Sequence, residues 1–214
     1  MVPKRPAKPG QARGKRTREN LIQVAIQSLC ESHVHGLKFS QISKIAQVPQ
    51  PLVDYHFPSM EALLGEMVAH QLERLKVISE EAITKHPKNP RKALTAYIRA
   101  PFDLGQNDQG FRAVWSCYYH LATVNKAFAE FNRGVRIHSD KRLAALLTSI
   151  ASAENRGERT NRKRIRATAT CIQGIMTGFA YIAAAESGGD FKGLGDLAVK
   201  AAQQIVDVNF PVNA

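Results

Sequence analysis

The chain has 214 residues, 44% of them hydrophobic, and a formal net charge of +12. That is enough apolar material for one large core or two modest ones, and the positive excess favours polyanionic partners, nucleic acid ahead of an anionic membrane surface. Three scattered cysteines, Cys30, Cys117 and Cys171, exclude a disulfide framework and a paired zinc site. The basic start leads into no apolar stretch and the longest weakly polar run, GIMTGFAYIAAA, is short for a bilayer, so a soluble, non-exported, cytoplasmic protein with no membrane span is expected.

The first 18 residues carry Lys4, Arg5, Lys8, Arg13, Lys15, Arg16 and Arg18 among prolines and glycines, with no acid. They read as a flexible basic arm over residues 1–17. Ile22, Ala25, Ile26 and Leu29 then recur at helical spacing from Arg18 to about His33, with Thr17 as N-cap and Gly36 as the stop. Ser40 caps a short second helix, QISKIAQ, that turns Ile42, Ile45 and Ala46 inward. Pro49 and Pro51 start a third helix near Gln50, since a first-turn proline gives up only an N–H that had no helical partner. Pro58 and Ser59 end it, and Ser59 caps a long helix whose apolar spacing runs through Leu63, Leu64, Met67, Val68, Leu72, Leu75 and Ile78 to HPKNP.

Asn89 and Pro90 form the cap and first turn of RKALTAYIRA, which Pro101 and Gly105 are expected to interrupt. FRAVWSCYYHLATV and NKAFAEFNRGVRIHSDKRLAALLTSI read as two further helices. The basic insert AENRGERTNRKR reads as a solvated loop and helix start, with a second nucleic-acid surface as the alternative. A small-residue helix from about Ile165 to Glu186 follows, SGGDFKGLG breaks the chain, and DLAVKAAQQIVDVNF is the last helix. About nine helices, no period-two alternation and no fixed repeat predict an all-α fold: an N-terminal helix-turn-helix three-helix DNA-binding domain over 18–64 and a larger C-terminal helical ligand-binding and dimerisation domain over 65–214.

The third helix carries the functional signal. Val53 and Phe57, four apart, face a core, leaving Gln50, Pro51, Leu52, Asp54, Tyr55 and His56 for other work. In a helix-turn-helix the second helix enters the major groove with its N-terminal residues at base edges. Gln50 suits adenine N6 and N7 and Leu52 a thymine methyl, while Tyr55 and His56 suit phosphate oxygens. Arg16 and Arg18 on the arm and Ser40, Gln41 and Lys44 on the preceding helix complete the candidate DNA contacts. Two short helices and a turn fit an ordinary α-bundle equally; the basic arm, of the kind that follows phosphates or enters a minor groove, is what favours DNA.

The run ISKIAQVPQPLVDYHFPSMEALL resembles the amino-terminal signature of the tetracycline-repressor (TetR) family, roughly I-A-x-x-A-G-V-S-x-x-x-L-Y-x-H-F-x-S-K-E-x-L-L. Ile42, Ala46, Val48, His56, Phe57, Ser59, Glu61, Leu63 and Leu64 match, and Val53 stands for leucine. Four departures follow from the same alignment. Gln47 stands in place of the turn glycine and is strained if that position needs a positive φ. Pro49 stands in place of the capping serine and offers no side-chain cap. Asp54 replaces a tyrosine on the face the family turns to DNA, where it can accept from cytosine N4, and Met60 replaces a phosphate-contacting lysine.

The resemblance implies that the larger domain binds a small effector and dimerises through its last two long helices. Independently, Cys171, Gly174, Ile175, Gly178 and Ile182 with Leu197, Ala201 and Ile205 form small-residue and apolar stripes suited to half of an isologous four-helix interface, ordinary core helices of a monomer being the other reading. The aromatic group Phe111, Trp115, Tyr118, Tyr119 and His120 is the candidate ligand site, core packing being its alternative. It faintly resembles the choline- and betaine-responsive branch of the family, and aromatic faces suit a quaternary ammonium.

The resulting expectation is a dimeric, effector-responsive transcriptional regulator, a repressor by family habit, acting on a pseudo-palindromic duplex operator. The alternative is a non-specific basic architectural protein that binds DNA or a membrane surface. No nucleophile elbow, H-E-x-x-H, phosphate-binding glycine loop or metal-ligand spacing occurs, so no enzyme, cofactor or metal is indicated.

Overall fold

The computed structural model describes residues 9–154, 162–185 and 189–209. Lys4, Arg5 and Lys8 of the arm, and Arg156 and Arg159 of the basic insert, lie outside the described residues. Among the described residues there are nine helices and no strand, as the periodicity predicts: α1 (Pro9–Gly36), α2 (Phe39–Ala46), α3 (Gln50–His56), α4 (Met60–Thr84), α5 (Pro90–Asn107), α6 (Gln109–Val124), α7 (Lys126–Ala153), α8 (Arg162–Ala185) and α9 (Phe191–Asn209). The chain divides within α4 into two units, Met1–Gln71 and Leu72–Ala214.

In the first unit, α1 starts at Pro9, well before the expected Arg18. Arg13, Lys15, Arg16 and Arg18 therefore ride on a helix rather than on a flexible arm, and Thr17 is no cap: its hydroxyl bonds the Arg13 carbonyl one turn back. Proline at the first position suits a helix start, and Arg and Lys are good helix formers, so a segment with no acid can still be helical when its C-terminal half is anchored by burial. That anchor is a core of Leu21, Ile22, Ala25, Ile26 and Leu29 packed with Ile42, Val53, Phe57, Leu63 and Met67, all buried. Ser40 is likewise inside α2 rather than its cap; Lys38 holds the cap position and makes no side-chain bond. The inward face of α2 is Ile42 and Ser43, with Ile45 37% exposed. Ser43 tolerates burial because its hydroxyl bonds the Ser40 carbonyl.

In the second unit, Asn89 caps α5 by accepting the Lys92 N–H at 2.9 Å, as expected. Pro101 and Gly105 do not interrupt it. Pro101 forfeits one helical hydrogen bond, but Ala100, Phe102, Leu104 and Gly105 around it are buried, and that packing carries the helix through. Gly105 is a contact glycine: a Cβ there would lie 2.4 Å from the Phe191 ring. Gly195 does the same against Phe102, at 2.8 Å, so the FKGLG stretch predicted as a break is instead the start of α9. Asp190 stabilises that start by accepting the Gly193 N–H.

The core of this unit joins Leu94, Ile98 and Phe102 of α5, Leu143, Leu147 and Ile150 of α7, Ala169, Ile172 and Met176 of α8, and Phe191, Ala198, Ala202 and Val206 of α9. α8 is long and apolar enough by composition to cross a membrane, but only 28% of its most apolar window is buried in the chain. One side of it is core; the other is open.

Candidate functional site

α2 and α3 are joined by a tight turn anchored at one unusual residue. Gln47 closes α2 in the left-handed conformation, φ 54°, the positive φ that the family glycine implies, and its N–H and that of Val48 bond the Lys44 and Ser43 carbonyls. Pro49 then takes the cap position of α3 with extended backbone and no side-chain bond, and Pro51 lies in the first turn. Val53 and Phe57 are 0% and 1% exposed, which fixes the rotation of α3 on the core.

That rotation leaves Gln50, Pro51, Asp54 and Tyr55 exposed, Tyr55 by 81%, with Leu52 and His56 half-buried beside them. The Tyr55 and His56 rings meet edge to face at 5.3 Å. On α2, Ser40 and Lys44 are exposed and Gln41 is half-buried, while Arg16 is exposed on α1. Ser59 caps α4 by accepting the Ala62 N–H, and the Glu61 carboxyl is held below its ordinary range by its own backbone N–H and by the Ser59 hydroxyl. A helix start rich in N–H groups favours that negative charge.

Arg18, expected on the DNA-contacting arm, is engaged within the unit. Its guanidinium donates to Glu66 Oε2 at 2.6 Å and lies 5.1 Å from the centre of the Phe57 ring. It therefore braces α1 against α4 and the end of α3, and Glu66 is held below the ordinary carboxyl range chiefly by that hydrogen bond. Sequence reading missed Glu66 because the pair is 48 residues apart.

In the second unit α6 begins at Asp108, which accepts the Phe111 N–H at 2.8 Å and pairs with Arg74 at 2.7 Å. Burial raises the Asp108 pKa, but the Phe111 N–H and Arg74 together hold it below its ordinary value. Four of the five predicted ligand residues come together. Trp115 meets Phe111 at 5.5 Å, Tyr118 at 5.1 Å and Tyr119 at 5.7 Å between ring centres. Phe131 of α7 and Tyr181 of α8, absent from the prediction, extend the group against Tyr118 and Tyr119. Phe111 and Tyr118 are 3% and 1% exposed and belong to the packing of the unit. The Tyr118 hydroxyl donates to Asn132, and burial pushes the Tyr119 hydroxyl up to about 12 and the Cys117 thiol up to about 11, so both stay protonated at neutral pH. His120, two and a half turns beyond Phe111, is exposed and points to the opposite side of α6.

The predicted stripes on α8 and α9 fall largely on the surface. Cys171, Gly174, Gly178 and Ile182 are exposed and Ile175 is half-buried; Leu197 is exposed and Ala201 and Ile205 are half-buried. Tyr181 and Val208, 56% and 79% exposed, extend the same faces. A Cβ added at Gly174 or Gly178 would meet nothing within 4 Å. Each helix thus has two apolar sides, one built into the core and one uncovered.

No protein-family model matches the sequence, and no curated protein does. Solved structures match along nearly the whole chain. A transcriptional regulator from Rhodococcus sp. Rha1 superposes with a TM-score of 0.70 at 17% identity, over 87% of this chain and 96% of its own. The fatty acid degradation regulator FadR from Bacillus halodurans gives 0.66 at 16% identity, over 94% and 97%. A TetR transcription regulator from Haloarcula marismortui gives 0.74 at 16% identity, over 91% and 98%. At these identities the likeness is one of architecture: the chain has the all-α fold of TetR-type transcriptional regulators.

Proposed function

We propose that the chain is a homodimeric, sequence-specific DNA-binding transcriptional regulator whose second unit takes a small organic effector. The observation that carries this reading is the face of α3: a helix fixed on the core by Val53 and Phe57 presents Gln50, Pro51, Asp54 and Tyr55 outward together. Gln50 reads adenine, Leu52 a thymine methyl and Asp54 cytosine N4, while Tyr55, His56, Ser40, Gln41, Lys44 and Arg16 hold the sugar-phosphate backbone. Arg18, already engaged with Glu66, is a positioning residue for this unit.

The uncovered stripes of α8 and α9 pair with a second copy in an isologous four-helix contact. Two α3 helices about 34 Å apart then enter successive major grooves. α4 has residues in both units, so an effector that moves its second half alters that spacing. As a DNA-bound regulator the protein works in the cytoplasm. The ring group of α6 is one wall of the effector site; the finer likeness to choline- and betaine-responsive regulators gains no support from the solved structures.

Selection from random duplex DNA at physiological salt tests the reading. The expected product is a pseudo-palindrome with half-sites one helical turn apart, bound at least ten-fold less tightly after Gln50→Ala or Tyr55→Ala. Equal recovery of all sequences would instead identify a non-specific architectural binder.

A further inference from the structure

α5 and α9 run antiparallel, and their spacing changes along their length. At one end two glycines draw them together, Gly105 against Phe191 and Gly195 against Phe102. Toward the other end, where Arg91 meets Asp207, neither helix supplies a glycine, and a cleft of about 120 Å³ opens between them. Its inner surface is aliphatic: Leu94 and Ile98 lie one turn apart on α5, Val206 faces them from α9, and Ile150 of α7 forms the floor. All four are at most 4% exposed.

The mouth of the cleft is polar and crossed by two ties between the helices. In one, Arg91 donates to Asp207 Oδ1 at 2.6 Å, and it also donates to Glu154 Oε1 at 2.6 Å. One guanidinium is thus shared by two carboxylates, and the group carries a net charge of about −1. In the other, the Gln203 amide donates to Thr95 Oγ1 at 3.4 Å, long for a hydrogen bond and therefore the easier of the two to exchange.

From this geometry we infer that the cleft is a second small-molecule site, sharing no residue with the rings of α6, and that it takes a neutral, hydroxylated compound of one ring. The ring lies on the aliphatic floor and the hydroxyl lies between Thr95 and Gln203. Size sets the first limit: an aliphatic cavity of about 150 Å³ holds one benzene, so this cleft has room for a single ring and none for a fused second one. Charge sets the next. The mouth repels a carboxylate, and Asp207, 59% exposed, offers an ammonium only a water-screened attraction while the apolar floor strips its hydration. A hydroxyl suits what remains, because it can donate to Gln203 Oε1 and accept from the Thr95 hydroxyl. The site goes beyond the regulator reading and does not depend on it.

Methyl NMR of the full-length protein labelled at isoleucine is the test, since a bound ring shifts the Ile98 and Ile150 methyls directly. Phenol should move both saturably. Benzoate and benzylammonium should bind at least ten-fold more weakly, and 2-naphthol should leave both methyls in place. Gln203→Leu, a change at an exposed position, should weaken phenol at least three-fold and leave the affinity for toluene unchanged. Thr95→Val makes the same comparison should Gln203→Leu alter the circular dichroism spectrum. Unmoved Ile98 and Ile150 methyls, benzoate or 2-naphthol bound as tightly as phenol, or a phenol affinity that the variants leave intact would each overturn the assignment.

Discussion

Two residues in the first unit show how a single side chain or dihedral sets local stability. Gln47 holds φ 54°, a region that disfavours a Cβ. Gln47→Gly should stabilise the unit by about 0.5–1 kcal/mol, the relief exceeding the added freedom of the unfolded chain, and slower amide exchange in α2 and α3 would register it. Arg18 gives a prediction with a sign in pH. The Glu66 carboxyl is lowered from its ordinary 4.5 by the Arg18 hydrogen bond. A carboxyl whose folded pKa is depressed contributes stability that is present above about 4.5 and is lost as pH falls through the folded value. Both side chains are more than a third exposed, so the pair with its ring contact is worth about 1 kcal/mol. Arg18→Met should speed exchange in α1 at pH 7 by the corresponding amount and flatten its dependence between pH 5 and 3. The left-handed turn was legible in the sequence, because a family glycine marks it at position 47. The brace was not: a basic residue beside Arg16 looks like a DNA contact until Glu66 and Phe57 are placed next to it.

Among the helices, glycines sort by what lies beside them. Gly65 of α4 has nothing within 4 Å of a built Cβ, and Gly65→Ala should stabilise by about 0.5–1 kcal/mol through helix propensity alone. At Gly105 the same change drives a methyl to 2.4 Å from the buried Phe191 ring. Overpacking of about 1–3 kcal/mol then outweighs the helical gain, and Gly105→Ala should lower the denaturation midpoint. Opposite signs from one chemical change, measured by urea unfolding, check the packing directly. This contrast also explains which helix ends were legible. Asn89 and Ser59 announce starts through their own side chains, so α5 and α4 begin where expected. Pro101, Gly105, Gly193 and Gly195 look like breakers locally; the buried residues around Pro101, the contacts of Gly105 with Phe191 and Gly195 with Phe102, and the Asp190 bond to the Gly193 N–H keep α5 and α9 intact.

For the whole molecule, the aromatic group of α6 and the uncovered stripes of α8 and α9 were legible to different degrees. Periodicity placed Phe111, Trp115, Tyr118 and Tyr119 on one side of α6 but could not supply Phe131 or Tyr181, which reach the rings from α7 and α8. The α8 stripe was legible because glycine, cysteine and isoleucine recur on a side that no other helix of the chain needs. Ile182, 40% exposed, tests it without disturbing the core. Ile182→Glu should leave the circular dichroism spectrum unchanged, halve the mass found by light scattering, and weaken operator binding on the order of 100-fold, because two linked half-sites become independent.

The two uncovered stripes have a genetic consequence as well. The residues proposed to read bases lie in Met1–Gln71 and the stripes proposed for pairing lie on α8 and α9, so a change at Gln50 and Tyr55 leaves the stripes whole. A copy carrying both changes would still combine with an intact one, and the mixed pair would hold one competent recognition helix where two are needed. Such an allele is expected to be dominant negative, silencing most of the normal protein when co-expressed in excess. Adding Ile182→Glu to the same allele should make it recessive.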